Sequence, residues 1–400
     1  MSINKLPNEC LYMILDHFNG FEELIRLSKV SPRWFLVVSL KLSKVKYLQL
    51  MDRYKRAQDY IEHNKLWKNT TETLKSHNLS DLFPNLKIVE VPLHFFVSLE
   101  SYTFRRLINE HPKIKGLIGL YEPVENKYNL ENIEMISSDF KFEFKKVFRP
   151  AQLKQICFKG ILLLSEFSQC IEYFPNLKRL HINSFYHDIK KYDGPNLSTL
   201  KILEIPPGNL GTGFRIMDSC PCLESAFIYS GYFQSNIIDD SIKNFNLRDL
   251  VIEHVSDNEK FSFDSLSRFD SFYLQPYTCE FTLELLRKIC TKFPNLHHLG
   301  IRGYEVDDSH VELMVKLLPE LKLIDLRKCK KVTQRPAHFL SQFCEKSDRS
   351  VKIFYDCEKE PLEWPKLDTT HELIVYGFDF MKNCFYKTWN SLPDLIDEDK

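Results

Sequence analysis

A six-residue phrase, apolar-x-x-apolar-x-apolar, recurs along this 400-residue chain and often follows Phe-Pro-Asn. Clear copies start at Leu86, Leu153, Leu177, Leu200, Leu247, Phe269, Leu296 and Leu321, and weaker copies start at Val45, Ile114, Leu223 and Val351. From residue 153, the successive starts at 177, 200, 223, 247, 269, 296 and 321 are separated by 24, 23, 23, 24, 22, 27 and 25 residues. Such a period predicts a solenoid, in which each repeat buries its apolar residues against its neighbours.

Each copy predicts a short parallel strand, and several segments between copies predict helices. The predicted helices are 99–108, 161–174, 281–293 and 311–318. In 281–293, for example, Leu285 and Ile289 lie one turn apart on the same face. Pro175, Pro294 and Pro319 follow three of these segments, where a proline ends a helix.

These copies resemble leucine-rich repeats. That family places Asn or Cys three residues after the last apolar position, and only Cys329 fits this pattern here. The other copies have Phe185, Gly208, Gly231, Val255, Tyr277 and Tyr304 at that position. The resemblance implies an irregular leucine-rich-repeat horseshoe, an α/β (α+β) solenoid with an inner parallel sheet and outer helices. A doubly wound α/β enzyme is the alternative, but repeats of about 24 residues leave little room for full crossover helices.

The first 45 residues predict three short helices with more apolar residues than they can bury. Leu11, Ile14, Leu15 and Phe18 share one face of the first helix. Ser31 begins the third helix as its N-cap, with proline next to it. A module of this size has a marginal core by itself, so a partner is expected to cover the surplus apolar surface.

The same stretch resembles an F-box: Leu-Pro, an acidic residue, an apolar helix, and a closing Val-Ser-Pro-Arg-Trp. The matching residues are Leu6, Pro7, Glu9, Leu11, Ile14, Leu15, Leu24, Leu27, Val30, Ser31, Arg33 and Trp34. Cys10 departs from the pattern, because the family often has Ile or Leu directly after Glu. A generic three-helix cap on the repeats is the alternative.

The F-box resemblance implies docking onto a Skp-family adaptor protein and, through it, onto a cullin. The implied adaptor-binding residues are Leu6, Pro7, Glu9, Leu11, Ile14, Leu15, Leu24, Val30, Ser31, Arg33 and Trp34. The expected domains are the F-box at 1–45, a connector at 46–82 that could include a first irregular repeat, the repeat domain at 83–377 and a tail at 378–400. Residues 122–149 are interpreted as an insertion within one repeat.

Charge, hydropathy and cysteine content argue against several classes of protein. Lys+Arg and Asp+Glu both number 54, so the basic excess of a nucleic-acid-binding protein is missing and no such partner is expected. The densest apolar run, 161–164, is far shorter than the roughly 20 residues of a membrane span, so no membrane is expected. No secretory signal begins the chain, and 11 cysteines without a C-x-x-C pair fit a reducing compartment, so a cytoplasmic and/or nuclear location is expected.

No motif assembles catalytic, cofactor or metal chemistry. The Gly-rich stretch 208–213 is interpreted as an ordinary strand-to-helix turn rather than a phosphate site. Cys220 with Cys222, and His297 with His298, have no partners at metal-ligand spacing. We therefore expect no enzyme activity, no cofactor and no metal.

Side chains between the apolar phrase positions are expected to form one exposed inner, concave surface. The candidate substrate-binding residues on it, the concave-face set, are Arg179, His181, Phe227, Tyr229, Val251, Tyr273, His298, Arg302 and Arg327. Aromatic residues and arginine are common anchors of protein interfaces. The alternative is that these aromatic side chains only pack against each other across the strands.

These patterns predict the substrate-recognition subunit of a Skp–cullin–F-box ubiquitin ligase, which holds an unknown target protein near the conjugating enzyme and performs no chemistry itself. A second hypothesis is a leucine-rich-repeat scaffold or inhibitor with no ubiquitin role. A third is an α/β enzyme with an unrecognised site, which would have a deep polar pocket.

Overall fold

The protein forms strands and short helices in alternation, in two compact units. The computed structural model describes residues 3–18, 20–50, 65–68, 78–90, 101–120, 129–138, 143–185, 192–205, 212–229, 238–254, 281–327 and 329–355. The first unit is Met1–Phe158 and the second is Lys159–Lys400.

The first unit begins with helices and continues into a parallel sheet. Its helices are a short 3₁₀ helix at Ile3–Lys5, then α1 (Asn8–Asp16), α2 (Phe21–Ser28), α3 (Pro32–Lys44), α4 (Leu79–Leu82), α5 (Ser101–Glu110) and α6 (Phe144–Val147). Its strands are β1 (Tyr47–Leu50), β2 (Lys65–Lys68), β3 (Ile88–Glu90), β4 (Gly116–Leu120), β5 (Met135–Ser138) and the first half of β6 (Gln155–Leu162). They pair in the order β2-β1-β3-β4-β5-β6, and every pairing is parallel.

The second unit repeats the same alternation. Its helices are α7 (Leu164–Ile171), α8 (Thr212–Met217), α9 (Leu283–Lys292), α10 (Asp308–Leu317) and α11 (Arg335–Ser347). Its further strands are β7 (Arg179–Phe185), β8 (Ile202–Ile205), β9 (Ser225–Tyr229), β10 (Asp249–Glu253), β11 (His298–Arg302), β12 (Leu323–Asp325) and β13 (Lys352–Phe354). From β7 to β13 they pair in parallel and in chain order.

The apolar phrase forms the core of each unit, as its period predicts. In the second unit the middle apolar position of successive strands is in register and fully buried: Leu180, Leu203, Ala226, Leu250, Leu299 and Ile324 all have 0% exposure. In the first unit the same column is Leu48, Val89, Leu117, Ile136 and Ile156. The predicted α/β solenoid is therefore confirmed.

The turn before each strand fastens that strand to the preceding repeat. The carbonyl oxygen of Lys46 accepts hydrogen bonds from the backbone N–H groups of both Lys87 and Ile88, at 2.8 and 3.0 Å. The same double acceptance recurs at Lys87, Lys115, Glu134, Lys178, Lys201, Glu224, Arg248 and His297. Side chains in the turns add to it, since the Nδ2 of Asn85 donates to the Ser43 carbonyl at 2.8 Å and that of Asn295 to the Phe245 carbonyl at 2.9 Å.

Several element boundaries differ from the sequence prediction. The helix predicted at 161–174 begins later, at Leu164, because β6 runs on to Leu162. The Glu166 carboxylate fixes this start by accepting the N–H of Leu163. The predicted insertion 122–149 contains a strand of its own, β5, whose third phrase position is Ser138 rather than an apolar residue.

Two further differences concern the ends of the strand series. The connector at 46–82 contains β2, an unexpected strand that pairs with β1. At the other end, Ile353 rather than Phe354 pairs with Ile324, one residue earlier than the phrase at Val351 predicts. The phrase copy at Phe269 lies outside the described residues.

Candidate docking surface

The three helices α1–α3 have a small core of their own. Leu11, Leu15 and Leu24 are fully buried at 0% exposure, and Trp34 is 6% exposed. Phe21 of α2 packs on Phe83, with 5.9 Å between the ring centroids. The first four of these are residues that the sequence assigned to adaptor binding, and the structure places them inside the segment, where they shape its surface without lying on it.

A separate set of large apolar side chains in this segment is exposed. Phe35, Leu36 and Leu40 on α3 are 61%, 53% and 50% exposed, and Leu36 and Leu40 lie one helical turn apart. Val30, just before α3, is 58% exposed, and Met13 on α1 is 67% exposed. We call these five residues the exposed apolar set.

Such exposure is concentrated at this end of the chain. Among the described residues, ten large hydrophobic side chains are exposed, and six of them lie before residue 41. The six are Ile3, Met13, Val30, Phe35, Leu36 and Leu40, and the other four are Ile242, Phe245, Leu283 and Leu317. Large apolar side chains exposed next to one another, as on α3, are typical of protein-interaction sites.

Ser31 and Arg33 hold the segment in shape. The hydroxyl of Ser31 accepts the N–H of Trp34 at 3.3 Å and so caps α3. The guanidinium of Arg33 donates from Nε to Asn8 Oδ1 at 2.7 Å and also donates to the Leu6 carbonyl. The Leu6–Asn8 stretch is therefore tied to the start of α3, which leaves Pro7 and Glu9 exposed beside it.

A buried lysine joins the first and third helices. Lys41 of α3 has 0% exposure, and its Nζ lies 3.5 Å from the Asp16 carboxylate at the end of α1. Burial lowers the pKa of Lys41, and the Asp16 charge opposes that shift. The ion pair thus connects α1 with α3.

The concave-face set is largely buried in the second unit. Seven of its nine members are 0–8% exposed: Arg179, His181, Phe227, Val251, His298, Arg302 and Arg327. The side chain of Tyr229, and Tyr273 altogether, lie outside what the structure describes. The expected exposure is therefore not found at these seven positions, and binding of a target by them stays a prediction.

Three buried polar members of that set are paired with buried acidic residues outside it. His181 Nδ1 lies 3.2 Å from Glu204 Oε2, and Arg302 Nε donates to Asp325 Oδ2 at 2.6 Å. Arg327 donates to the same carboxylate at 3.0 Å. Burial alone would raise the pKa of Asp325, but the charges of Arg302 and Arg327 lower it below its usual value.

Other chemical features of the described part of the chain are few. In the residues that the structure describes, no group of three or more His, Cys, Asp or Glu side chains is placed to hold a metal ion. Within those same residues, none of the helices has the length and apolar character needed to cross a membrane.

Of the exposed apolar set, Val30 was among the predicted adaptor-binding residues and the other four were not. Phe35, Leu36, Leu40 and Met13 fall between the positions that define the motif, so a motif comparison passes over them. The signal that could have found them is the surplus of apolar residues in the third helix, which includes Trp34, Val37 and Val38 facing inward.

Comparison with known proteins identifies this segment. Residues 3–46 match the model of the F-box domain. The chain carries an F-box domain. It precedes the repeat array, as the sequence resemblance predicted, so the chain is an F-box protein with repeats.

Whole-chain similarity to known proteins is low. No curated protein matches the chain. Among solved structures, the yeast Rad7–Elc1 complex contains a chain that is 14% identical, with 82% of this chain and 90% of that chain covered and a TM-score of 0.41. The TLR13–ssRNA13 complex contains one that is 13% identical with a TM-score of 0.31, and this match covers 72% of this chain and 40% of that chain.

Proposed function

We propose that this protein is the substrate-recognition subunit of a Skp–cullin–F-box ubiquitin ligase, acting in the cytoplasm or nucleus. Its F-box domain docks onto a Skp-family adaptor, the adaptor links it to a cullin, and its repeats bind a target protein. The protein raises the local concentration of the target near the conjugating enzyme and contributes no bond chemistry. The match at residues 3–46 supports the docking step.

The observation that carries this proposal is the exposed apolar set of the F-box domain. A chain that used these helices only as a cap on its repeats would bury this surface against itself. Instead Val30, Phe35, Leu36 and Leu40 remain at least half exposed while the core of the domain is closed. Phe35, Leu36 and Leu40 are already about half buried, so covering the rest of each side chain gains about 1 kcal/mol, or about 3 kcal/mol for the three together.

The test is capture of a purified Skp-family adaptor by the full-length chain. The docking variant combines Phe35→Ser, Leu36→Ser and Leu40→Ser, all of which are exposed and therefore compatible with folding. The matched control combines Ile242→Ser, Phe245→Ser and Leu317→Ser, three exposed apolar residues of the second unit. We expect the docking variant to lose adaptor binding by about a hundredfold, consistent with hot-spot energies near 3 kcal/mol, and the control to bind like the wild type.

Two results would contradict the proposal: equal adaptor binding by both variants, or no adaptor binding by the wild type. Either result would favour a repeat scaffold or inhibitor without a ubiquitin role. Adaptor binding through the exposed apolar set distinguishes a ligase subunit from such a scaffold, because the scaffold needs no adaptor.

A further inference from the structure

The segments that immediately precede the strands of the first unit carry a strong excess of positive charge. Before β1, β3, β4, β5 and β6 these segments are 44–46, 84–87, 112–115, 131–134 and 149–154. They contain seven cations, namely Lys44, Lys46, Lys87, Lys113, Lys115, Arg149 and Lys154, which we call the basic edge. They contain two carboxylates, Glu131 and Glu134.

The strand register places these cations along one edge of the sheet. Tyr47, Ile88, Gly116, Met135 and Gln155 pair in sequence, so the residues just before them also line up. Neighbouring strands are about 4.8 Å apart, so five strands spread the charges over about 19 Å. The excess is local, because the whole chain has equal numbers of acidic and basic residues, 54 of each.

The backbone beneath these side chains is fixed. The carbonyl oxygens of Lys46, Lys87, Lys115 and Glu134 each accept two N–H groups from the next repeat. Lys44, Lys46, Lys113, Lys115 and Arg149 are exposed above this frame. Part of the charge is balanced internally, since Glu134 accepts from Lys115 at 3.0 Å and Lys154 at 3.1 Å.

We propose that the basic edge binds an acidic, extended segment of a protein target. The proposal rests on the receptor role proposed above and specifies the partner class. About six residues of extended chain span the 19 Å of the edge, so carboxylates about 6.7 Å apart on one face of that chain would lie beside the row of cations. A preorganised row of cations favours such a segment mainly by speeding encounter and by rejecting basic partners.

A nucleic acid fits this edge less well than an acidic protein segment. Proteins that bind single strands combine a basic groove with exposed aromatic side chains on which bases stack. The aromatic residues directly before two of these segments, Phe83 and Phe148, are buried at 0% and 3% exposure.

The experiment measures binding of a fluorescein-labelled peptide of alternating Asp and Ser, about twelve residues long, to the full-length chain by fluorescence anisotropy. The edge variant combines Lys46→Gln, Lys87→Gln, Lys113→Gln and Arg149→Gln, which leaves the Glu134 pairs intact. The control combines Lys243→Gln, Lys316→Gln, Lys330→Gln and Lys346→Gln, four exposed lysines outside this edge. Both variants lose four positive charges, so net charge alone cannot separate them.

We expect the edge variant to bind the peptide at least tenfold more weakly and the control to stay within about twofold of the wild type at low ionic strength. Binding by the wild type should also weaken at about 1 M salt, where the screening length falls to about 3 Å. Equal binding by the two variants overturns the proposal. So does tighter, edge-dependent binding of oligo-dT than of the peptide.

Adaptor capture by the same proteins separates this inference from the proposed function. If the edge variant binds the adaptor normally and the peptide result is negative, only the inference about the edge fails. If the wild type captures no adaptor, the receptor role fails whatever the peptide does.

Discussion

At the residue scale, Asp325 keeps a negative charge in a place with 0% exposure. Oδ2 of Asp325 accepts hydrogen bonds from Arg302 and Arg327, and Arg302 also reaches Glu253 at 3.3 Å. A buried carboxylate of this kind is stable only while its cations remain. The cluster therefore links β10, β11 and β12 by charge as well as by backbone hydrogen bonds.

Replacing Arg302 should destabilise the protein strongly. Arg302→Leu removes a positive charge that balances the carboxylates of Asp325 and Glu253. We therefore expect the unfolding free energy to fall by about 3 kcal/mol. Urea unfolding of the full chain measures it, with exposed Arg335→Leu as the control, expected within about 0.5 kcal/mol of wild type. A loss below about 1 kcal/mol would show that the cluster contributes little.

Acid should weaken the same cluster. The folded-state pKa of Asp325 is below its ordinary value, so its stabilising effect is complete above the ordinary pKa of about 4 and is lost as the pH falls through the lower folded value. The urea midpoint of the wild type should therefore fall on acidification below about pH 4. Asp325→Asn, less stable at neutral pH, should lose less over the same range, and parallel pH profiles would contradict this.

A second residue-scale prediction concerns Arg33 of the F-box domain. Arg33→Lys removes the forked donation to Leu6 and Asn8, so the Leu6–Asn8 stretch should be held less firmly. We expect adaptor binding to weaken about tenfold with helix content unchanged, as measured by titration and circular dichroism. Arg26→Lys on the exposed side of α2 is the control and should bind normally.

At the scale of elements, the turns before the strands hold successive repeats together. In the described residues, nine of these turns each receive two backbone hydrogen bonds from the next repeat, and polar side chains in several turns add a further contact. Asn246 Nδ2 donates to the Pro221 carbonyl at 2.8 Å, and Thr199 Oγ1 to the Pro175 carbonyl at 3.0 Å. The repeated Phe-Pro-Asn of the sequence is thus part of the interface between repeats.

Removing one of these side-chain bonds should have a measurable effect. Asn295→Ala leaves the Phe245 carbonyl without its side-chain donor, which should reduce the unfolding free energy by about 1 kcal/mol. Glu320→Ala, at the same turn position before β12 and exposed, is the matched control. Equal urea midpoints for both variants would contradict a role for these side chains.

The elements also show what the sequence can and cannot predict. The period of the apolar phrase predicted the strands, because their inward residues must be apolar whatever lies between them. It missed β5, where Ser138 replaces the last apolar residue, and β2, which carries no phrase. It also predicted exposed positions at Arg179 and His298, because alternation identifies the second face of a strand and cannot tell whether the chain buries it.

The F-box domain shows the same division. Leu11, Leu15 and Trp34 were recognised from the motif because they build the core that every such module needs. Phe35, Leu36 and Leu40 were not recognised, because the identity of a surface residue depends on the partner that it contacts and not on the packing inside the domain. The motif thus locates the domain, while the exposed side chains have to be found from the structure.

At the scale of the whole molecule, zero net charge and exposed apolar residues make the isolated chain prone to association. Co-expression with a Skp-family adaptor should therefore raise the soluble yield several-fold. The Phe35→Ser, Leu36→Ser and Leu40→Ser variant should be soluble without the adaptor, because its apolar surface is reduced. Soluble yield and size-exclusion profiles measure this, and equal behaviour with and without the adaptor would contradict it.

The double acceptance at the turns has a consequence for how such a chain can change length over evolution. Residues gained or lost before a strand would displace the carbonyl group that accepts two N–H groups of the following repeat. The backbone hydrogen bonds between the two repeats would be broken at that turn. Residues gained or lost after a strand leave those hydrogen bonds untouched. Natural variants of this protein should therefore differ in length on the far side of their strands and keep the turn lengths constant.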